Sequence, residues 1–532
     1  MTIFQLFDLV ITGYVDDITI LLASSSYELN CEALAQVYRR LTRFTSLHGT
    51  EFSADKTQLI HLCQSRKAPP IVNVMPNVSG FPTEAKDGAI KVLGLHLDYQ
   101  LKWNVHIAHT LAKVRQKMYQ MRRVCGSTWG PGVLKLRHQY ITSVRPIFAY
   151  ACALWYVVRK TKGTRCKWSL CQALVNKLET EQTQCLKQIF GAYQRVSGDI
   201  LCKVFFVEKL CVFLAGCAMK HRATNIDTPE GQALLRTWLF VANRRGLTAE
   251  VMEAHPLNVA YREAKALAWM VADDELQLRI RADPKLAKNP ALQWLRRKQL
   301  IRDVVKKMSH FKSQDLWQKF VIRYLSQAAT FNENCPAIQG IWWQHNLKIW
   351  VDMPKAQSTI LLHMRTNFNA LNATLHFIGF APSPMCPCGI GAYNAKHLFL
   401  HCKMLEDALK HHRKAFSELT FEKLVTHRPR LASDLAIPYF GIPQFQWTKH
   451  VLNPAFGGLQ EEEEEGSVSP SPPWITKEIF HLLRIASSGS VPSPVSNSFD
   501  VDVRSHYTDW LKQSKPSVDQ AQVFGRDWLS NC

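Results

Sequence analysis

The sequence predicts an α+β protein with a small antiparallel sheet near its start and a mainly helical remainder. Apolar segments on both sides of Gly13–Asp17 are typical of two strands joined by a tight turn. Apolar residues of Glu28–His48 recur at helical spacing, and Gly49 follows as a stop signal. From about residue 105 onward helical periodicity dominates, and residues 223–344 are also rich in tryptophan.

Two further strands, over Thr57–Leu62 and Ile90–Leu97, are expected to join the first two in one sheet that packs on the Glu28–His48 helix. Gly126–Gly132 breaks the chain before a helix predicted over Val133–Val144. Five apolar residues share one face of the helix that precedes this break: Ile107, Leu111, Val114, Met118 and Met121.

Composition indicates a folded intracellular protein. The chain has 532 residues, of which 47% are hydrophobic, and this excludes global disorder. Its 15 cysteines are odd in number and scattered through apolar segments, which favours reduced thiols over a disulfide framework. Met1–Leu9 lacks the positive region of a signal peptide, and the longest apolar run, Ile147–Val158, is too short to span a bilayer. We expect a location in the nucleus or cytoplasm and no membrane partner.

The net charge of +22 points first to nucleic acid, while an anionic membrane or a merely basic surface remain alternatives. Most of the surplus lies in two helical segments. Lys91–Arg145 holds ten lysines and arginines against one acid, and Arg279–Arg323 holds thirteen against three. Two such segments on one chain favour contact with phosphates over two solvated helix faces.

Asp16 and Asp17 are adjacent carboxylates at the turn of the predicted hairpin. Such a pair is costly unless a cation lies between the two charges. Nucleotidyl transfer uses two Mg²⁺ ions about 4 Å apart, and carboxylates on a tight hairpin can supply part of their ligands. The alternative is an ordinary Asp-Asp turn whose side chains bind local backbone N–H groups.

Around this hairpin the sequence resembles the reverse transcriptases of non-LTR (LINE-type) retrotransposons, in particular the fungal I/Tad-like group. The resemblance runs over about residues 10–215, with its motifs in family order. They are Gly13–Leu21 (palm hairpin), Asn30-Cys31 with the next helix, His48–Leu62 (lysine-bearing loop), Val92–Asp98 with Leu101, Trp103 and His106 (entry to the thumb), and Ser127–Pro131, Arg145-Pro146, Tyr150 and Trp155 (thumb helices).

The resemblance implies an RNA-directed DNA polymerase, that is, a nucleotidyltransferase that uses Mg²⁺. Asp16 then corresponds to the more directly metal-bound carboxylate, with Asp17 beside it. Lys56 lies where the family places a lysine near the incoming triphosphate; the alternative is an exposed loop lysine. Tyr14 packs beside the primer end in this interpretation, and as a core aromatic of the hairpin in the other.

The resemblance also implies that the basic thumb helices grip an RNA/DNA template–primer through its backbone, without reading its sequence. The residues expected to do so are Lys113, Arg115, Lys117, Arg122 and Arg123. Other retrotransposon-encoded proteins are further candidate partners.

Only a few residues precede the hairpin, whereas in this family the fingers and another metal-binding aspartate come earlier. Two carboxylates without the third hold two Mg²⁺ ions poorly, because each ion takes six oxygens. No ribonuclease H or endonuclease signature is visible either. We therefore expect a catalytically incomplete C-terminal part of a retrotransposon reading frame, truncated or decayed. The alternatives are a non-enzymatic nucleic-acid-binding protein and a decayed reading frame with no selected function.

Cys386, Cys388, His397 and Cys402 follow the spacing C-x-C-x8-H-x4-C. Four such ligands close in sequence favour a tetrahedral Zn²⁺ site over unrelated buried thiols and a surface histidine. Spacing alone leaves His401, four residues after His397, as an alternative fourth ligand. The resemblance favours Cys402, since the tails of these proteins end in such a zinc-knuckle-like cluster, and Arg365–Asn372 looks like their lead-in segment. Zinc knuckles bind RNA or DNA.

The expected organisation has seven segments. They are 1–104 (partial palm), 105–220 (thumb and following helices), 221–360 (helical connection), 361–410 (zinc-knuckle-like segment), 411–454 (helical or irregular tail), 455–500 (disordered acidic and Ser/Pro-rich linker) and 501–532 (short C-terminal segment).

Overall fold

A computed structural model of the protein describes residues 8–62, 69–82, 84–157, 170–229, 231–233, 248, 256–326, 335–406, 409–410 and 420–437. The described residues are mainly helical, with two small antiparallel sheets, in agreement with the predicted α+β class. They divide into two compact units. Unit 1 takes its residues from 1–113, 151–175 and 236–261, and unit 2 from 114–150, 176–235 and 262–532. The linker predicted over 455–500 and the segment 501–532 lie outside the described residues.

Unit 1 begins with the predicted hairpin. Strands β1 (Asp8–Tyr14) and β2 (Asp17–Ala23) are antiparallel, and their register runs from the pair Asp8↔Ala23 to the pair Tyr14↔Asp17. Val15 and Asp16 form the two-residue turn, in which Val15 has φ 55°. A β-branched residue rarely adopts this left-handed conformation, so the turn is locally strained.

Helix α1 (Tyr27–Leu47) follows the hairpin and confirms the helix predicted over Glu28–His48. The side chain of Ser26 caps its start by accepting a hydrogen bond from the Leu29 N–H, and Gly49, with φ 67°, ends it. Its buried residues are Cys31, Ala33, Leu34, Ala35, Val37 and Tyr38.

The other predicted strands of unit 1 are wrong in detail. Thr57–Leu62 is not a strand, because its partners are loop residues: the Leu59 carbonyl accepts from Lys86 N–H, and no ladder of bonds forms. Ile90–Leu97 is not one strand but a second hairpin, β3 (Ala89–Val92) and β4 (Leu95–Asp98). Leu93 and Gly94 both have positive φ, which reverses the chain as in a two-residue turn. The two hairpins form separate sheets instead of the single sheet expected.

Helix α2 (Asn104–Arg122) confirms the predicted apolar stripe, since all five stripe residues are buried. Helix α3 (Val133–Gln139) continues through a π-helical turn over Tyr140–Val144 into α4 (Arg145–Ala149). The helix predicted to end at Val144 therefore continues past Pro146. The wider turn accommodates the proline, which has no N–H to donate and would clash with the carbonyl four residues before it.

The remaining helices are α5 (Cys152–Trp155), α6 (Gln172–Phe190), α7 (Gly198–Val204), α8 (Leu210–Asn225), α9 (Pro256–Ala266), α10 (Asp274–Ala282), α11 (Pro284–Ala287), α12 (Pro290–Ser326), α13 (Lys355–Thr366), α14 (Asn372–Phe377), α15 (Ala395–Leu400), α16 (Phe421–His427) and α17 (Pro429–Ala436). Shorter helical turns are Ala54–Lys56, Leu267–Asp273, Pro336–Ile338, Gln344–Trp350 and Lys403–Leu405. Helices α8 and α12 pack on each other in unit 2.

Every residue of helix α13 in unit 2 is buried. Its polar side chains reach backbone carbonyls of other segments. Lys355 Nζ donates to the Ile189 carbonyl over 2.6 Å, and Arg365 Nη1 donates to the Val425 carbonyl over 3.2 Å. These contacts satisfy carbonyls that the interior would otherwise leave unpaired.

Burial of Lys355 changes its ionisation. Desolvation lowers the pKa of its ammonium group from 10.5 to about 7. Between these two pH values the unfolded chain binds more protons than the folded chain, so the free energy of unfolding rises with pH across this window.

Replacement of Lys355 by methionine tests this linkage. In Lys355→Met we expect the slope of unfolding free energy against pH, between pH 7 and 10, to fall by up to about 1.4 kcal/mol per pH unit, the value for one proton. The measurement is urea denaturation at four pH values. The exposed Lys348→Met is the matched control, whose slope should equal that of the parent protein. An unchanged slope in Lys355→Met would show that this lysine stays charged in the folded protein.

Candidate functional site

Cys386 and Cys388 lie on a tight loop closed by a bridge between Met385 and Ala392. The Cys386 N–H donates to the Gly391 carbonyl over 2.8 Å, and the Gly389 N–H donates to the Cys386 carbonyl over 2.9 Å. Gly389 has φ 76°, a conformation that favours glycine. The loop therefore turns both thiols toward the same side.

His397 lies on α15, and Cys402 follows this helix after one residue, His401. The Asn394 side chain caps α15 by accepting from the His397 N–H over 2.8 Å. The Cys402 N–H donates to the His397 carbonyl over 2.9 Å, which turns the chain back at the helix end. Local hydrogen bonding thus fixes the imidazole and the third thiol side by side.

The four side chains converge on one point. Their ligand atoms all lie within 4.8 Å of one another. Cys386 Sγ is 3.7 Å from Cys402 Sγ, and Cys388 Sγ is 3.1 Å from His397 Nε2. A tetrahedral ion with metal–sulfur bonds of about 2.3 Å has sulfur–sulfur edges of about 3.8 Å. The cluster can therefore hold a metal ion.

The fourth member of the cluster is Cys402, which is 1% exposed, whereas the alternative His401 is exposed and outside the cluster. Gly391 also matters, because a Cβ there would lie 3.2 Å from His397 Nδ1 and crowd the imidazole.

A hydrogen bond from the Ile390 backbone lowers the pKa of Cys388 to about 6, while burial raises the pKa of Cys386. A thiolate is the form that binds metals.

Metal content distinguishes the two candidate ligands. Protein purified without chelator should contain one bound metal ion per chain by elemental analysis. Cys402→Ser should lose it, because three ligands and a hydroxyl bind far more weakly than four, while His401→Ala should retain it. Retention in Cys402→Ser together with loss in His401→Ala would contradict the assignment of the fourth ligand.

The hairpin turn presents both aspartates to solvent. Asp16 is in the turn, Asp17 is the first residue of β2, and both side chains are exposed. Tyr14 is 64% exposed, so it is not a core aromatic of the hairpin. Within the described ranges, no histidine, cysteine or further carboxylate joins Asp16 and Asp17 in a group of three. Lys56 ends the short helical turn Ala54–Lys56 and is also exposed.

The cations predicted to contact nucleic acid differ in their surroundings. All five lie on α2 or directly after it, and Lys113, Arg122 and Arg123 are exposed. Arg115 is exposed as well, but its Nη2 donates to Glu181 Oε2 over 2.7 Å and its Nε to the same oxygen over 3.0 Å. Lys117 is half-buried. The Arg115–Glu181 pair joins α2 to α6, and no sequence signal indicates it, since the partners are far apart in the chain.

A polar stripe on α6 was missed by the sequence interpretation. Glu181, Gln184 and Gln188 recur at helical spacing, and they line a cavity of about 810 Å³ in unit 2. This spacing is the signal that could have indicated a polar face turned toward other protein segments.

Comparisons with protein-family models, with curated proteins and with solved structures find no match for this chain. Among the described helices, none combines the length and the apolar character needed to cross a bilayer.

Proposed function

We propose that this chain is a nucleic-acid-binding protein of the non-LTR reverse-transcriptase type that does not polymerise DNA by itself. The observation that carries the proposal is the two-residue turn that exposes Asp16 and Asp17 side by side at the end of a hairpin. The order of the sequence motifs around this turn supports the same class of protein. The exposed cations of α2 and the Cys/His cluster supply two further parts suited to a polyanion.

Asp16 and Asp17 supply only some of the oxygen ligands that two Mg²⁺ ions need. Each Mg²⁺ ion takes six oxygens in near-octahedral order, and two ions need several protein carboxylates. No third ligand joins Asp16 and Asp17 in the part of the chain that the structure describes. This favours a chain that binds a template–primer without extending it, which is a non-enzymatic role.

Primer extension tests the absence of polymerisation. Purified full-length chain, incubated with a primed RNA template, Mg²⁺ and the four deoxynucleoside triphosphates, should give no extended product on a sequencing gel. Asp16→Asn should behave identically, because the parent chain is already inactive. Template-dependent extension that disappears in Asp16→Asn would refute the proposal and make the hairpin a working catalytic site.

Exposed cations favour binding through the phosphate backbone. Lys113, Arg122 and Arg123 are exposed to solvent, whereas Arg115 is held by Glu181. Each neutralised phosphate releases counterions, so affinity falls steeply as salt concentration rises. A duplex held in this way is bound without regard to its sequence.

The salt dependence of binding measures this contact. Fluorescence anisotropy with a labelled RNA/DNA duplex should give a straight line of log affinity against log salt concentration. In Lys113→Gln its slope should shrink by about 0.9, the value for one phosphate contact. Lys220→Gln, an exposed lysine on α8, should leave the slope unchanged. A slope that is the same in Lys113→Gln and in the parent would remove this lysine from the interface.

Zinc is the metal that the cluster favours. Three thiolates and one imidazole in a tetrahedron are a zinc ligand set, whereas Mg²⁺ prefers oxygen. Without an open position, such a site stabilises a fold and does not catalyse. A small zinc module of this kind is suited to bind RNA or DNA, as zinc knuckles do.

A further inference from the structure

Helix α12 of unit 2 carries a second basic surface, which the functions above do not use. The helix holds nine lysines and arginines against two aspartates. Part of this charge is neutralised within the helix, since Asp315 pairs with Lys312 over 3.6 Å and with Lys319 over 3.1 Å. The exposed cations of its first half are Arg296, Lys298, Arg302, Lys306 and Lys307. Most of the charge that α12 offers to a partner therefore lies in this half.

An exposed tryptophan lies among these cations. Trp294, Lys298 and Arg302 recur at intervals of four residues, so they follow one side of the helix about 6 Å apart. Trp294 is 47% exposed, and Lys298 Nζ lies 4.8 Å from the centroid of its ring. Tryptophan is a residue type that proteins mostly bury, so its exposure in a row of cations indicates a surface suited to a partner.

A second exposed tryptophan is joined to the same part of α12. Trp269 is 43% exposed, and Lys265 Nζ lies 4.0 Å from the centroid of its ring. Trp269 Nε1 donates to Asp227 Oδ1 over 2.9 Å, and Asp227 Oδ2 accepts from Arg297 Nη2 over 2.7 Å. Arg297 is the third residue after Trp294, so one carboxylate fixes the Trp269 ring beside the helix. The two rings are thus held in place before any partner binds.

We propose that this tryptophan–cation surface, formed by Lys265, Trp269, Trp294, Lys298 and Arg302, binds single-stranded nucleic acid. Unpaired bases stack on the exposed rings, and the phosphates contact the lysines and the arginine. Aromatic side chains beside cations that follow the backbone are the common elements of surfaces that bind single strands. A duplex fits less well, because its bases are stacked on one another and their faces are not accessible to a side chain.

An anionic membrane is the competing partner, since helices that lie on membranes also combine tryptophan with lysine and arginine. Two carboxylates argue against it. Asp227 and Asp273 both pair with Arg297 over 2.7 Å, and Asp227 is also the hydrogen-bond partner of Trp269. Insertion of the Trp269 ring would move these carboxylates toward the apolar layer, which is costly. A single strand stacks on the rings while the carboxylates stay in water, so the geometry favours nucleic acid.

This inference rests on the proposed function only in the class of ligand, which is nucleic acid, and its residues are separate from those of α2. Lys113→Gln should weaken duplex binding and leave single-strand binding unchanged, while Lys298→Gln should do the reverse. A chain that binds single strands but no duplex would refute the α2 contact alone. A chain that binds a duplex but no single strand would refute the tryptophan–cation surface alone.

Fluorescence anisotropy of the full chain with a labelled twelve-nucleotide oligothymidylate is the test. Trp294→Ala should weaken binding about fivefold or more, because the stacking of one base is lost, whereas Trp294→Phe should retain most of the affinity. In Lys298→Gln the slope of log affinity against log salt concentration should shrink by about 0.7, the value for one phosphate of a single strand. The melting temperatures should equal that of the parent, because both side chains are exposed.

Lys319→Gln is the matched control, since Lys319 is exposed on the same helix but is paired with Asp315. It should change neither the affinity nor the slope. Equal weakening in Lys298→Gln and Lys319→Gln, or unchanged affinity in Trp294→Ala, would overturn the proposal. Binding to phosphatidylserine vesicles that disappears in Trp294→Ala, in a chain that does not bind the oligonucleotide, would overturn it too and assign the surface to a membrane.

Discussion

The folded state of unit 2 depends on the satisfaction of buried backbone carbonyls by long side chains. Lys203 Nζ donates to the Ala337 carbonyl over 3.0 Å, and Arg137 Nε donates to the Phe205 carbonyl over 2.6 Å. Lys355, His363 and Arg365 of α13 act in the same way on carbonyls of two other segments, the end of α6 and α16. Burying a charged group is costly unless it is bonded, so each of these contacts specifies one arrangement of its segments.

This constraint also positions the cavity and the loop after α6. Helix α6 ends at Phe190, and the chain must turn at Gly191 against Thr359. The hydrogen bond from His363 to the Gly191 carbonyl fixes that turn. Tyr193, two residues later, packs against the His363 ring in the cavity wall. The polar side chains of the buried helix α13 therefore shape the cavity of unit 2, although His363 is the one residue of this helix that lines it.

Sequence patterns predicted the local features and missed the long-range ones. Helices α1 and α2 were predictable because their apolar residues recur on one face, and the cysteine–histidine cluster because its four ligands are close in sequence. The second hairpin was missed because Leu93, an apolar residue with φ 46°, gives no turn signal ahead of Gly94. The burial of helix α13 could not be predicted, because Lys355, His363 and Arg365 are residue types that are usually exposed. All three are buried.

Net charge alone overstates the surface available to nucleic acid. Of the five cations predicted to grip a duplex, Arg115 is neutralised by Glu181 and Lys117 is half-buried. The three exposed ones act in a medium of high dielectric constant, where their attraction for phosphate is long-range but screened by salt. Arg122 is exposed and also lines the cavity of unit 2, so its charge alone does not assign it to a duplex.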